Sequence, residues 1–169
     1  MRKKVIVILL AALVVGLAVY FAVSRGTISS SEVKPKGFSA DGIKITLTNR
    51  FNETGEEGFT VCFSSDEVHV NVLREEFDPE ADHTLDEFGE AAIENIDTDA
   101  EIELKSDGGL TYFSYEYTST ETNHQYLYYT FLYKASDAFW IVQFVTPEEY
   151  LQDYEESFFE WAKSVEFTG

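Results

Sequence analysis

The stretch FWIVQFVTPEEYLQDYEESFFEWAKSV, residues 139–165, decides the predicted fold, because it places an apolar strand directly before an amphipathic helix. Its first seven residues are almost continuously apolar, which is typical of a central strand that is covered on both faces. Thr146 and Glu149 match a capping box, and Pro147 stands where the first helical residue is expected. We therefore predict a strand over residues 139–145 and a helix that begins after Thr146.

The apolar residues of this helix recur on one side, so the helix is expected to pack against a sheet. That apolar stripe consists of Leu151, Tyr154, Phe158, Trp161, Ala162 and Val165.

Three more strands are predicted just before residue 139, near residues 100–105, 110–118 and 125–133. Turn-forming residues separate these four strands. They are Asp107-Gly108-Gly109, residues 119–123, and Ala135-Ser136-Asp137. Three consecutive hairpins predict an antiparallel meander.

The first half of the chain is expected to form three strands and a helix. Alternation of apolar and polar residues predicts strands over residues 42–47, 59–63 and 68–73, the last two as a hairpin, and residues 53–58 as a loop. Thr84 and Glu87 form a capping box for the helix. Its apolar side consists of Leu85, Phe88, Ala92, Ile93 and Ile96.

The element order is thus three strands, a helix, four strands and a helix. This order predicts the α+β class, with an antiparallel β-sheet of about six or seven strands and two packing helices. One N-terminal transmembrane helix is expected to precede this domain.

The predicted membrane segment is residues 5–23, VIVILLAALVVGLAVYFAV, which contain no charge. A helix of this length spans roughly 28 Å, close to the thickness of the hydrocarbon core. Arg2, Lys3 and Lys4 precede it, so the positive-inside rule keeps the N-terminus in the cytoplasm and exports the rest. Ala22-Val23-Ser24 also fits a signal-peptidase site, which leaves cleavage as the alternative.

Three regions follow from this reading. Residues 1–24 are the membrane anchor or signal peptide, residues 25–37 a flexible Ser-rich spacer, and residues 38–169 an acidic extracytoplasmic domain.

The chain has 12 basic and 31 acidic side chains. Six of the basic ones, but only one acidic one, precede Gly37, which leaves a net charge of −24 on the remainder. Such a domain is a poor partner for nucleic acid. The favoured interpretation of its charge is a solvated, soluble surface, and the alternative is attraction to cationic partners or Ca²⁺.

No catalytic, cofactor-binding or metal-binding residue is predicted. Cys62, the only cysteine, is expected in the core, and His69, His83 and His124 have no metal-chelating spacing. No nucleotide-binding or nucleophile-elbow motif occurs. A small hydrolase would instead require a buried histidine beside a serine or an acid in a cleft.

Two clusters leave alternatives open. The carboxylates of Asp97, Asp99, Glu101 and Glu103 alternate, which favours the solvent face of an edge strand over a calcium site. Tyr126 and Tyr128 are predicted on one face of their strand, with Tyr129 and Tyr133 on the other. Core packing is favoured for them over a partner-binding surface.

The chain resembles the PsbP-like superfamily, which includes photosystem II PsbP and bacterial DcrB-like envelope proteins. The resemblance is carried by GIKITLTNRF (residues 42–51), FWIVQF (residues 139–144) and FFEWAKSVEF (residues 158–167). It implies a PsbP-like α/β sandwich and a non-enzymatic accessory or interaction domain, and it carries no site residues over.

The expected function is therefore a membrane-tethered, extracytoplasmic, non-enzymatic binding or accessory domain. It is expected to bind a protein partner in or near the membrane. The alternative is a ligand-binding or Ca²⁺-binding carrier or sensor domain of the cell envelope.

Overall fold

A computed structural model describes residues 32–78, 82–98, 100–120 and 122–168. The predicted membrane segment, residues 5–23, and Asp99 lie outside these residues. Within the described ranges, no helix combines the length and the apolar character needed to cross a membrane.

A seven-stranded antiparallel sheet, here called the central sheet, forms the centre of the domain. Its strands are β3 (Asn52–Thr54), β4 (Val61–Ser64), β5 (His69–Glu76), β6 (Lys105–Asp107), β7 (Leu110–Thr118), β8 (Gln125–Lys134) and β9 (Ala138–Pro147). Their spatial order is β3-β4-β5-β9-β8-β7-β6, so the predicted meander is confirmed. Strand β9 lies between β5 and β8, and residues 138–146 are all buried, which confirms the predicted central strand.

A second sheet of three strands was not predicted. It consists of β1 (Pro35–Ala40), β2 (Ile43–Thr48) and β10 (Glu166–Phe167), in the order β1-β2-β10. Asp41 and Gly42 join β1 to β2 with φ values of 45° and 92°. Two successive positive φ values are what a tight two-residue hairpin requires, and Asp-Gly is a common sequence for it.

Strand β1 also moves the predicted boundary of the domain. Residues 35–37 were assigned to the flexible spacer, but they pair with β2, so this assignment was wrong for these residues. Backbone pairing with β2 holds them extended although their composition is that of a linker.

Helix α1 (Leu85–Glu94) begins as predicted, with a capping box. The Glu87 N–H donates to Thr84 Oγ1 at 3.2 Å, and the Thr84 N–H donates to Glu87 Oε2 at 3.0 Å. The helix buries Phe88, Gly89 and Ala92 against one face of the central sheet.

Helix α2 (Leu151–Lys163) does not begin with the predicted capping box. Thr146 belongs to β9, where it pairs with Leu127, and its hydroxyl donates to the Glu67 carbonyl at 2.9 Å. A 3₁₀ turn, Glu148–Tyr150, leads into the helix instead. Strand pairing holds Thr146 extended beyond the predicted end of β9, so its hydroxyl is not available as a cap.

Two short stretches also differ from the prediction. Residues 101–104 form no strand, because Ile102 and Leu104 pack against the core beneath α1, and only Lys105–Asp107 pairs with β7. The predicted loop over residues 53–58 loses its first two residues to an edge strand, because Asn52–Thr54 pairs with β4.

The two helices cover opposite faces of the central sheet. Helix α2 and the three-stranded sheet pack on one face, called the α2 face, while α1 packs on the other, called the α1 face. The domain is therefore an α+β sandwich with two apolar cores, which confirms the predicted class and the two packing helices.

Candidate functional site

A band of polar side chains crosses the α1 face of the central sheet. Asn71 on β5 stands opposite Cys62 on β4 and Gln143 on β9, and Gln143 stands opposite Thr130 on β8. All four are buried, with exposed fractions of 3% or less. We call Cys62, Asn71, Gln143 and Thr130 the polar band.

The hydrogen bonds of the polar band are incomplete. Gln143 Nε2 donates to Thr130 Oγ1 at 3.1 Å and lies 3.4 Å from Tyr115 Oη. Neither polar atom of the Asn71 side chain has a partner among the described residues, and Gln143 Oε1 has none either. A buried polar group without a partner costs about 1–3 kcal/mol. Apolar core packing alone therefore does not account for the polar band.

Beside the polar band, a serine and a histidine face each other. Ser64 Oγ lies 2.9 Å from His69 Nδ1, and His69 is buried. This is the pairing that the hydrolase hypothesis required. However, burial lowers the pKa of His69 to about 4, far from the neutral value that suits a general base. The serine–histidine contact is present, but the lowered pKa of His69 does not suit a general base.

Cys62 lies in the core, as predicted, and its thiol is unreactive. Burial raises its pKa to about 12, and the charge of Glu56 adds to this effect. Since the thiolate is the nucleophilic form, Cys62 remains protonated at neutral pH.

The tyrosines pack on both faces, as the core-packing interpretation predicted. Tyr126 and Tyr128 lie in the core under α1, while Tyr129 and Tyr133 pack on the α2 face. Tyr129 Oη donates to Glu155 Oε1 at 2.6 Å, and Tyr133 Oη donates to the Ala162 carbonyl at 2.8 Å. These two hydroxyls thus attach the sheet to α2.

A cavity of about 150 Å³ opens beside the C-terminal end of α1. We call it the tyrosine cavity. Its lining includes Ile96, Asp97, Thr98, Tyr115, Tyr117 and Tyr128. Tyr115 connects it to the polar band through the contact with Gln143.

The remaining sequence candidates do not assemble into a site. His83 precedes α1, where its carbonyl accepts a hydrogen bond from Lys134 Nζ, and His124 is exposed before β8. Among the described residues, no three His, Cys, Asp or Glu side chains lie close enough to hold a metal ion. Of the Asp97–Glu103 carboxylates, Asp97, Glu101 and Glu103 are exposed as expected, but none of these three lies in a strand, so the edge-strand interpretation was wrong for them, and Asp99 lies outside the described residues.

The exposed surfaces of both helices are acidic. On α2 the exposed carboxylates include Asp153, Glu156 and Glu160, which we call the acidic ridge. The ion pairs among the described residues are Lys34–Glu32, Arg74–Glu76 and Arg74–Asp137, and none of them neutralises a helix residue.

Sequence reasoning missed the polar band. Its two amides were visible as single polar residues inside apolar strands, Asn71 within VHVNVL and Gln143 within FWIVQFV. A polar residue at a position that must be buried is a usable signal, since interiors rarely accept one without a reason.

Comparison with known proteins identifies the fold. No protein-family model and no curated protein matches the chain. Among solved structures, it is similar to cyanobacterial PsbP (CyanoP) from Synechocystis sp. PCC 6803, with a TM-score of 0.50 and 14% identity over 85% of this chain and 99% of that one. The domain has the PsbP-like fold, as the resemblance implied.

Two further solved structures are similar. A protein from Bacteroides thetaiotaomicron VPI-5482 matches with a TM-score of 0.57 and 14% identity over 79% of this chain. The match covers 48% of that protein, so the chain spans about half its length. LpqN, involved in cell envelope biogenesis of Mycobacterium tuberculosis, matches with a TM-score of 0.46 and 8% identity over 82% of this chain and 93% of that one.

Proposed function

We propose that this chain is a non-enzymatic binding domain, tethered to the membrane by residues 5–23 and displayed on the extracytoplasmic side. Its partner in this proposal is a protein in or near the membrane that presents a basic surface to α2. The observation that carries the proposal is the acidic ridge, whose carboxylates have no ion-pair partner among the described residues.

The chemistry of the buried side chains supports a non-enzymatic role. The Cys62 thiol has a pKa raised to about 12, and His69 has a pKa lowered to about 4. A nucleophile needs the opposite shift, and a general base needs a pKa close to the working pH.

The charge distribution supports a basic partner. Several carboxylates with few cations nearby create a negative potential, which attracts basic surfaces and accelerates association. Half-buried Tyr154 and Phe159 lie on the same helix and would add aromatic contact area at its border. The PsbP-like fold is compatible with this role but does not select it.

The test is site-specific photocrosslinking in cells that express the full chain. A photoreactive amino acid replaces Glu156 on α2 in one experiment and Glu90 on α1 in the other. We expect the α2 position to enrich one membrane protein reproducibly and the α1 position to enrich it much less.

A charge test then separates specific binding from chance capture. The triple variant Asp153→Asn/Glu156→Gln/Glu160→Gln should weaken binding of the captured protein at least fivefold and reduce its salt dependence, because exposed charges act through screened attraction. The matched control on α1, Asp86→Asn/Glu90→Gln/Glu94→Gln, should bind as the unchanged chain does. Equal loss in both triple variants, or no reproducible enrichment from α2, would overturn the proposal.

The tether is tested separately. An intact mass of the protein recovered from the membrane fraction should equal that of the full chain. A mass that lacks the first 22 to 24 residues would show that the segment is a cleaved signal peptide instead.

A further inference from the structure

The tyrosine cavity is walled by three aromatic rings. Tyr115 and Tyr128 stack with centroids 4.8 Å apart and an interplanar angle of 12°. Tyr117 stands edge-on to Tyr128, with centroids 6.4 Å apart and an angle of 89°. Rings at a right angle present one face and one edge towards the same space. Only a ring face attracts a cation, so the pair supplies one wall of an aromatic cage.

The charges around the cavity are negative. Asp97 is among the lining residues, and no Lys, Arg or His is among those described as lining it. Glu116 also borders the cavity, but its carboxylate accepts a hydrogen bond from Gln125 Nε2 at 2.6 Å, so it is already engaged.

A second carboxylate, on Glu56 in the loop before β4, does not line the cavity but acts electrostatically on Tyr128, which does. Burial raises the pKa of Tyr128, with the neighbouring Tyr117, Tyr126 and Glu56 adding to the effect, so the Glu56 charge reaches this ring. Glu56 is half-buried, burial raises its own pKa, and no described cation forms an ion pair with it. A partly desolvated carboxylate gains from a cation placed near it.

We infer that the tyrosine cavity is a binding site for a small organic cation, an alkylammonium or quaternary ammonium group. The ring face that the perpendicular Tyr117–Tyr128 pair presents attracts the cation through its quadrupole, and Asp97 in the lining supplies the opposite charge, to which Glu56 adds from outside the lining. A cavity of about 150 Å³ has room for a group of the size of benzene, which a trimethylammonium group matches.

This inference goes beyond the proposed function, because the cavity lies on the α1 side of the central sheet and the acidic ridge on the α2 side. The two can therefore fail independently. The α2 triple variant should bind the cation as the unchanged chain does.

The test compares choline with 3,3-dimethylbutan-1-ol, its uncharged carbon isostere, on the full chain in a non-ionic detergent. Isothermal titration calorimetry and saturation-transfer NMR measure binding of each probe. We expect choline to bind at least tenfold more tightly than the alcohol. Equal affinity for the two would show that the cavity is merely apolar and would overturn the inference, as would no choline binding at 10 mM.

Two matched pairs of variants locate the site. Tyr117→Leu should weaken choline binding about fivefold, whereas Tyr117→Phe should retain it, because the aromatic ring pair and not the hydroxyl attracts the cation. Glu56→Gln should weaken it about threefold, and Glu53→Gln, an exposed acid on the adjacent edge strand, should not. Unchanged affinity in both Tyr117→Leu and Glu56→Gln would place the choline elsewhere and contradict the assignment.

Discussion

The two faces of the central sheet are built from the same strands but differ in chemistry. On the α2 face, β5 and β9 contribute Val70, Val72, Val142 and Phe144, all fully buried and apolar. One residue further along each strand, the α1 face carries Asn71 and Gln143. The pleat alone separates the two sets, because successive side chains point to opposite faces.

Both helices nevertheless attach to the sheet in the same way. Phe158 of α2 stacks on Phe144, with centroids 5.1 Å apart and an angle of 11°, and Phe88 of α1 stacks on Phe139, at 4.4 Å and 10°. The difference between the faces thus lies beside these stacks and not in them. The α1 face keeps two buried amides, Asn71 and Gln143, with polar atoms that have no partner among the described residues, and these cost stability.

The strongest test of this contrast removes each stacked ring. Phe158→Ala should lower the free energy of unfolding by about 4 kcal/mol, and Phe88→Ala by about 3 kcal/mol. The larger loss is expected at Phe158 because its ring also contacts Tyr129, Tyr154 and Trp161. Urea unfolding measures both values, and a smaller loss at Phe158 than at Phe88 would contradict the ranking.

A reciprocal exchange of neighbouring residues on β5 sharpens the comparison. Val70→Asn buries an amide on the apolar face and should destabilise the domain by about 3 kcal/mol. Asn71→Val removes two unpartnered polar atoms and should stabilise it by about 1 kcal/mol. Thermal and urea unfolding measure both, and destabilisation by Asn71→Val would show that this amide is satisfied in solution.

A pH dependence on the polar side should be smaller than the effects of Phe158→Ala, Phe88→Ala and Val70→Asn. The pKa of His69 falls from 6.5 to about 4 on folding, so below pH 6.5 the unfolded chain binds the proton more readily. Stability is therefore lost as the pH falls from about 6.5 towards 4, and the full contribution is present above that range. Between pH 8 and pH 5, the unchanged chain should lose about 2 kcal/mol more than His69→Gln. Parallel pH profiles for the two would show that His69 does not titrate in this way.

Local sequence predicted those elements whose geometry depends on neighbours along the chain. The capping box of Thr84 and Glu87 formed as expected, because its hydrogen bonds join residues three positions apart. Thr146 and Glu149 match the same pattern but form no capping box. Thr146 pairs with Leu127 on β8 instead, which keeps it in the strand. Whether a capping box forms therefore depends on whether the same residues also pair with a neighbouring strand.

The candidate site was less predictable than the fold. Tyr115, Tyr117 and Tyr128 come from two strands, and Ile96 and Asp97 from the segment just after α1. Glu56, whose charge acts on Tyr128, comes from a loop some 40 residues earlier in the chain. Alternation assigns Tyr117 and Tyr128 to faces of their own strands, but only the register of β7 against β8 brings the rings together.

The sequence by itself determined the α+β class, the meander, the buried strand at residues 139–145 and the two amphipathic helices. Burying one side of a strand or helix requires apolar residues at a regular spacing, so the spacing of apolar residues in the sequence predicts these elements. Only the tertiary structure decided that residues 35–37 join a second sheet, that Thr146 is strand and not cap, and that the polar band is assembled from four strands. These outcomes depend on contacts between residues far apart in the chain, which no local pattern records.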